Sequence, residues 1–343
     1  MDVRVFDLHC DTLDRLAWPA LPAELQSGDP YYEPHDGSWV VPGQVQSFAD
    51  SPTHISLERT EGIGWCQALA VFIPDKLSPE QALRFFDTVS GTLADHVAAN
   101  PDRLAQVRTM AQAQKALDAG KFAGMITVEN AKLLAAGEGI AAHLAEAGVR
   151  VASLSWNGAN PLASGHNTEG GLTDLGRRAV AELEDAGIVV DVSHLNDPGF
   201  ADLLQVAKKP IIATHSNSRA VRDVPRNLTD DQFRAIRDAG GLVGLNFCRD
   251  FVSGSGDPSQ EELLAHVEHW LDLDGASVIA LGSDYDGCDV PSWLDPGSKM
   301  RDLDALFREH FGDWMAERFM FENAAAFFRR YDAAEPKHAG GKA

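Results

Sequence analysis

Short apolar runs recur along the chain, each followed by a stretch with helical spacing. The runs cover residues 3–8, 67–73, 124–128, 149–154, 188–192, 210–214, 242–247 and 278–281. Most are rich in Val, Ile and Leu without strict alternation, the pattern of strands buried on both faces. Between them lie helix signals. Ser78-Pro79-Glu80-Gln81 is a capping box with Pro at the first helical position, followed by Leu83, Phe86 and Val89. Leu175, Ala179, Val180 and Leu183 form an apolar stripe that stops at Gly187. Thr229 to Gln232 is a second capping box, leading through Phe233 and Ile236 to Gly240-Gly241. Strand and helix alternating about eight times predict a TIM-like (β/α)8 barrel over residues 1–332 as one catalytic-size unit.

Two stretches break the rhythm. Residues 21–61 are rich in Pro, Gly and aromatics and follow the first strand; residues 249–259 follow the seventh. Loops of that length in a compact domain are usually functional or disordered, and a barrel would carry both at its mouth. Residues 333–343 read as a disordered tail. With 343 residues, the chain is long for a single core, yet one α/β barrel contains it. Asp and Glu total 51 against 29 Lys and Arg, a formal net charge of −22. Such a surface repels phosphate backbones, so nucleic acid and anionic membranes are poor partners. No basic-then-apolar leader and no run of about 18 apolar residues occur, so a soluble, cytoplasmic protein is expected. Cys10, Cys66, Cys248 and Cys288 form no CxxC pair and read as free thiols.

The residues at the C-terminal ends of the runs change the picture most. The first run leads to His9-Cys10-Asp11, the third to Glu129-Asn130, the fifth to Ser193-His194, the sixth to His215-Ser216 and the eighth to Ser283-Asp284. Five strands thus deliver a His or a carboxylate to the edge where barrel enzymes keep their chemistry. His9 and Asp11, two apart, point the same way on an extended strand end, with Cys10 on the opposite face. His194 and His215 end adjacent strands and can hold a second cation, while Glu129 has two oxygens and can bridge both. Three His with Asp and Glu suit a divalent ion, Zn²⁺ first, with Mn²⁺ or Co²⁺ as alternatives. Two such ions ~3.5–4 Å apart would hold a hydroxide near neutral pH.

Each motif alone has a plainer reading: a chance HxD, a capping Glu, a core histidine. Their joint occurrence at one edge favours a metal site. Other motifs fail. Asp284-x-Asp286-Gly287 lacks the Glu of a calcium loop, and no P-loop, GxSxG or GxGxxG is present. His266 and His269, with acids around them in a helical stretch, read as a solvated face.

In this order and spacing, a set of motifs resembles the membrane dipeptidase family of metallopeptidases, particularly its bacterial soluble members. The set runs from Phe6-Asp7-Leu8-His9-Cys10-Asp11-Thr12 through Thr127-Val128-Glu129-Asn130, Leu154-Ser155-Trp156-Asn157 and Asp191-Val192-Ser193-His194. It continues with Ala213-Thr214-His215-Ser216-Asn217, Pro225-Arg226-Asn227-Leu228 and Gly282-Ser283-Asp284-Tyr285-Asp286-Gly287. The resemblance implies a zinc-dependent dipeptidase, attack on a free dipeptide by a metal-bridging hydroxide, two Zn²⁺ per chain, and a homodimer. It implies His9, Asp11 and Glu129 around one ion and Glu129, His194 and His215 around the other. Asp284 would be the general acid/base, and Arg226 the anchor of the dipeptide's C-terminal carboxylate. One departure stands out: where the animal enzymes place a substrate-contacting histidine, this chain has Trp156. Asn157 and His166 are the nearby candidates to contact substrate in its place. A related binuclear amidohydrolase acting on another small amide, N-acyl amino acid or lactam, and a catalytically silent peptide-binding barrel, are the alternatives.

Overall fold

The computed structural model describes residues 3–26 and 46–334. Every one of the eight apolar runs forms a strand. In chain order the strands are β1 (Arg4–Cys10), β2 (Gly64–Phe72), β3 (Leu104–Gln106), β4 (Phe122–Glu129), β5 (Val149–Ser153), β6 (Val189–Asp191), β7 (Ile212–Ala213), β8 (Leu242–Leu245) and β9 (Ile279–Leu281). All pairings are parallel, in the order β2-β1-β9-β8-β7-β6-β5-β4, and β2 pairs with β4 to close the ring. The result is a closed eight-stranded (β/α)8 barrel. The ninth strand, β3, was not expected. It lies beside the first half of β4, from Leu104↔Phe122 to Gln106↔Gly124, while β5 pairs with the second half. Three residues are too few to show a periodicity.

The helices form where the local signals place them. They include α1 (Thr12–Ala17), α2 (Pro79–Ala99), α3 (Met110–Asp118), α4 (Ile140–Ala147), α5 (Asp174–Asp185), α6 (Asp197–Val206), α7 (Asp230–Asp238), α8 (Arg249–Val252), α9 (Gln260–Asp272), α10 (Met300–Phe311), α11 (Asp313–Glu317) and α12 (Asn323–Ala334). Both expected capping boxes are made, by Ser78 with Gln81 and by Thr229 with Gln232. Such caps are worth about 1 kcal/mol each. The stripe of α5 ends as foreseen before Gly187, whose φ of 73° suits a residue without a Cβ.

One buried cluster contains Phe6, Leu8, Cys66, Met125, Val151, Val189, Ile212, Leu242 and Ala280, at least one residue from each ring strand. Only the inside of a closed barrel brings such a set together. Phe321, Phe327 and Phe328 join this cluster from the C-terminal segment, and Phe6 stacks on Phe328 at 5.4 Å. Aromatic side chains thus seal the lower barrel, leaving its polar residues to collect at the opposite mouth.

Of the two expected mouth loops, residues 27–45 of the first lie outside the described residues. The part from 46 to 61 packs down through buried Phe48, Ile55 and Leu57. It is tied to the end of β9, because His54 N–H donates to Asp286 Oδ1 (2.7 Å) and Asp286 N–H donates to His54 Nδ1 (2.8 Å). The second stretch, 249–259, is not wholly irregular: it begins with the short helix α8. At the C-terminus, α12 runs through Ala334, two residues into the expected tail; the rest lies outside the described residues.

Phe328 is 1% exposed and seals the barrel floor far from the mouth. Truncating it, Phe328→Ala, is expected to cost about 3–5 kcal/mol of stability, as for other buried aromatics, while the metal content of the folded fraction stays unchanged. Denaturant unfolding followed by metal analysis checks both.

Candidate metal centre

The mouth residues are aimed by local backbone devices. The β1–β2 register slips between Asp7 and Cys10, a bulge in the strand that carries His9. Bulges of this kind re-aim a side chain. Glu129 is the last residue of β4, and Asn130 turns the chain away at φ 66°. His194 and Asp284 also stand in the left-handed region, at φ 70° and 62°. Residues held there cost of order 1–3 kcal/mol and cluster at functional sites. Hydrogen bonds hold them: His166 N–H donates to His194 O at 2.9 Å, and Asp284 N–H to His9 O at 3.2 Å.

The six expected side chains converge. His9 Nε2 lies 3.5 Å from Asp11 Oδ2, 3.5 Å from Glu129 Oε2 and 3.9 Å from Asp284 Oδ1. The other Glu129 oxygen, Oε1, lies 2.6 Å from His194 Nε2 and 3.8 Å from His215 Nε2. Glu129 therefore turns one oxygen to each of two donor sets. His9 and His215 also stack, with ring centroids 3.7 Å apart. All six residues are buried.

The hydrogen bonds around the two later histidines decide which nitrogen faces the centre. Thr214 Oγ1 donates to Asp191 Oδ2 (2.6 Å), since a carboxylate accepts. The same hydroxyl is then left to accept from His215 Nδ1–H at 2.7 Å. His194 Nδ1 likewise donates to Asn157 Oδ1 at 2.9 Å. With both protons on Nδ1, the two Nε2 atoms carry bare lone pairs, yet they lie only 3.0 Å apart. Burial, together with the charge of Arg226 on His194 and of His9 on His215, holds both imidazoles well below the usual histidine range, so both are neutral. Two lone pairs and a carboxylate oxygen facing one another call for a cation between them.

The first donor set fits a cation equally. His9 Nε2 and Asp11 Oδ1 are buried without a hydrogen-bond partner. Gly287 opens the space beside them, because a Cβ there would collide with Asp11 Oδ2 and lie 2.6 Å from Asp284 Oδ1. His9, Asp11 and Asp284 offer ligand atoms within 4.8 Å of one another, as do His9, Glu129 and His215. Burial raises the Glu129 carboxyl to about 7, and Asp284 is raised for the same cause with Asp11 adding to it. Imidazole and carboxylate donors of this kind suit Zn²⁺ and its first-row neighbours.

Other expected residues fall at different distances. Arg226 is 4% exposed and donates to Ser216 Oγ and His215 O, both at 3.2 Å. Its Nε has no partner, and among the described residues no carboxylate lies within 4.0 Å of its guanidinium. The Phe251 ring lies 5.3 Å from its centre. His166 shares a cavity of about 400 Å³ with Thr168, Asn196 and Pro225; burial and the Arg226 charge push it down to about 3. Trp156 packs edge-on against Phe72 at 4.7 Å and beside His194 at 6.3 Å. Asn157, an expected substrate contact, accepts from His194 Nδ1–H through its side-chain oxygen.

The solvated reading of His266 is wrong. Its ring is fully buried, accepts from Ser218 N–H at Nδ1 (3.1 Å) and donates from Nε2 to Val252 O (2.9 Å). Its neighbours in sequence are acidic, but its partners come from 48 and 14 residues away. His269 does face outward and pairs with Asp230 at 2.8 Å.

Three supporting residues escaped the sequence reading. Asn246 donates to Asp284 Oδ2 (3.0 Å) and to His215 O (3.1 Å). Asp191 holds Thr214, and buried Asp14 stands near Asp11 and Glu129, where burial and those charges hold its carboxyl well above the usual range. The signal for Asn246 was present: it is the polar residue near the end of the one late strand to which no ligand was assigned. Thr214→Val removes the acceptor that orients His215, so divalent-metal affinity is expected to fall about 10–100-fold. Competition against a chromophoric chelator measures it, and unchanged affinity would show that packing alone orients the ring.

Comparisons with known proteins agree with this geometry. Residues 2–338 match the family model described as membrane dipeptidase, peptidase family M19. A metallopeptidase from Rhodobacter sphaeroides, solved with a phosphinate mimic of the dipeptide L-Ala-D-Ala, superposes with a TM-score of 0.83 at 27% identity, covering 96% of this chain and 100% of that one. The dipeptidase AC, also of family M19, superposes with a TM-score of 0.83 at 28% identity over 96% and 99% of the two chains. The dipeptidase verJ of Clonostachys rogersoniana is 32% identical over 203 residues, which is 58% of this chain and 52% of that protein. With a family model spanning nearly its whole length and a barrel mouth of matching chemistry, the chain belongs to the membrane dipeptidase family, peptidase family M19, and with it to the metallo-dipeptidases.

Proposed function

We propose that the chain is a zinc-dependent dipeptidase that cleaves free dipeptides with two Zn²⁺ at the barrel mouth. The observation that carries this reading is the division of donors by Glu129: one oxygen toward His9, the other toward His194 and His215. Zinc, when bound, supplies Lewis acidity for the scissile carbonyl and makes a water-derived nucleophile available near neutral pH. His9, Asp11 and Glu129 hold one ion in this reading; Glu129, His194 and His215 hold the other.

Asp284 is the general acid/base. Its carboxylate is beside His9 and Asp11, is steadied by Asn246, and is raised by burial, so it takes up a proton more readily than a surface Asp. It accepts the proton of the attacking water and hands it to the leaving amine. Arg226 is the anchor for the substrate carboxylate. A guanidinium that is buried with an unpartnered Nε suits one anionic ligand in bidentate fashion. A fixed separation between that anchor and the metal pair selects two-residue substrates, since a longer peptide has no carboxylate at that reach. His166, neutral and in the adjoining cavity, and Trp156 line the substrate's path. Four unpaired cysteines fit a reducing, cytoplasmic setting.

Chelation should abolish dipeptide turnover and added zinc restore it, with two zinc ions bound per active chain. Amidating the dipeptide's C-terminus should lower kcat/KM by about 10²-fold or more, the usual scale for leaving a buried charge unpaired. Equal turnover of both substrates would point to another small amide and away from the Arg226 clamp.

Asp284→Asn tests the proton-transfer role. It should retain two zinc ions while kcat falls by roughly 10²–10⁴-fold. Steady-state kinetics on protein of verified metal content decides; an unaltered kcat would remove Asp284 from the chemistry.

A further inference from the structure

The segment that follows β8 and the segment that follows β9 run side by side across the mouth. Phe247 N–H donates to Ser283 O (3.3 Å), and Arg249 N–H donates to Asp289 O (3.0 Å). Those contacts flank Cys248 and bring Cys288, the neighbour of Asp289, alongside it. Cys288 is half-buried and Cys248 is 9% exposed, so the pair sits at the rim, unlike fully buried Cys10 and Cys66. Cys288 through its thiol and Cys248 through its backbone are also joined to Asp284 and to Asn246. Cys288 Sγ donates to Asp284 O at 3.4 Å, and Cys248 N–H donates to Asn246 Oδ1 at 2.6 Å. Asn246 in turn donates to the Asp284 carboxylate.

We propose that Cys248 and Cys288 form a redox pair whose disulfide displaces Asp284 and switches the enzyme off. This rests on the reading of Asp284 as the general acid/base. The oxidant is a small-molecule disulfide. One protein thiolate attacks it, forming a mixed disulfide and expelling one small thiol. The second protein thiolate then attacks the protein sulfur of that mixed disulfide, the Cys248–Cys288 bond forms, and the other small thiol leaves. Two protein thiols are oxidised, one disulfide is reduced to two thiols, and the two protons pass to the released thiols. The bond draws the sulfurs to about 2.05 Å. It removes the Cys288 donor from Asp284 O and ties the Asn246 segment to the Asp284 turn. Misplacing a catalytic group by about 1 Å can cost 10²-fold in rate. Burial, with Cys248 alongside, pushes the Cys288 thiol well up, so exchange is slow and tracks sustained oxidation over brief bursts.

The test equilibrates zinc-loaded enzyme in glutathione buffers of rising oxidised fraction. The Cys248–Cys288 bond is followed by peptide mass mapping and turnover by kcat on a dipeptide. The bond should accumulate as kcat falls about 10–100-fold, zinc content should hold at its starting value, and dithiothreitol should restore the rate. Cys248→Ser, which keeps the backbone N–H to Asn246, should show the same turnover in both buffers. Thiols that stay reduced, glutathione adducts without the internal bond, or a complete bond with unchanged kcat would each overturn the proposal. A fully reduced enzyme that never turns over dipeptides would instead strike the dipeptidase reading, while the mapping still decides the pairing.

Discussion

The structure is organised around a repulsion. Two neutral imidazole nitrogens stand 3.0 Å apart with their lone pairs inward, and a carboxylate oxygen lies 2.6 Å from one of them. Asp11 and Asp284 crowd the remaining side, with His9 between them. No isolated peptide would hold these groups together. The closed barrel does so by fixing five strand ends on one ring and by holding the ligands from behind. Thr214 and Asp191 hold His215, Asn157 holds His194, and Asn246 holds Asp284. The cost of that crowding falls on the metal-free fold, and a cation that binds only the folded chain returns it as stability.

The opposite end of the barrel bears the compensating load. Phe6, Phe321, Phe327 and Phe328 fill the floor, and the remaining strand residues of that layer are Leu, Val, Ile, Met, Cys and Ala. Apolar burial below and polar crowding above are the same strands read from their two ends. This explains why the sequence shows apolar runs that terminate in histidine or acid. Asp7 is the exception: it is a fully buried acid within β1, and it accepts from Ser283 N–H (2.8 Å) and Gln67 Nε2 (3.0 Å). It therefore joins β1 to β2 and to the end of β9, the three places that aim His9 and Asp284.

Much of this was legible in advance because strand ends are local signals. Eight runs, two capping boxes and the polar residues that follow the runs sufficed for the barrel and for the convergence of His9, Asp11, Glu129, His194, His215 and Asp284. What escaped depends on distance in sequence. The bulge in β1 arises from register against β2, about 60 residues away, and no residue within β1 announces it. Thr214 and Asp191 lay inside apolar runs and were counted as strand. His266 was misjudged because its helical neighbours are acidic, whereas its hydrogen bonds reach Ser218 and Val252. The hydrogen bond between Asn157 and His194 spans 37 residues and left no local signal either.

The charges at the mouth are also sorted by side, and that sorting bears on what the site accepts. Asp11, Asp14, Glu129 and Asp284 gather around His9, while Arg226 lies against His215 and bears electrostatically on His166 and His194. Its positive charge helps keep those three imidazoles neutral, and a neutral imidazole is the form that ligates. The acids nearest His9 and the Arg226 guanidinium, which acts on Asp284 and Glu129 across the site, make the mouth bipolar. A free dipeptide carries an ammonium at one end and a carboxylate at the other, so such a field aligns it in one direction. Under the function proposed above, its carboxylate would meet Arg226 and its amino end would face the acids. An N-acylated or C-amidated analogue loses one half of that alignment. Under that proposal the polarised mouth reads the two charged termini of its substrate at once.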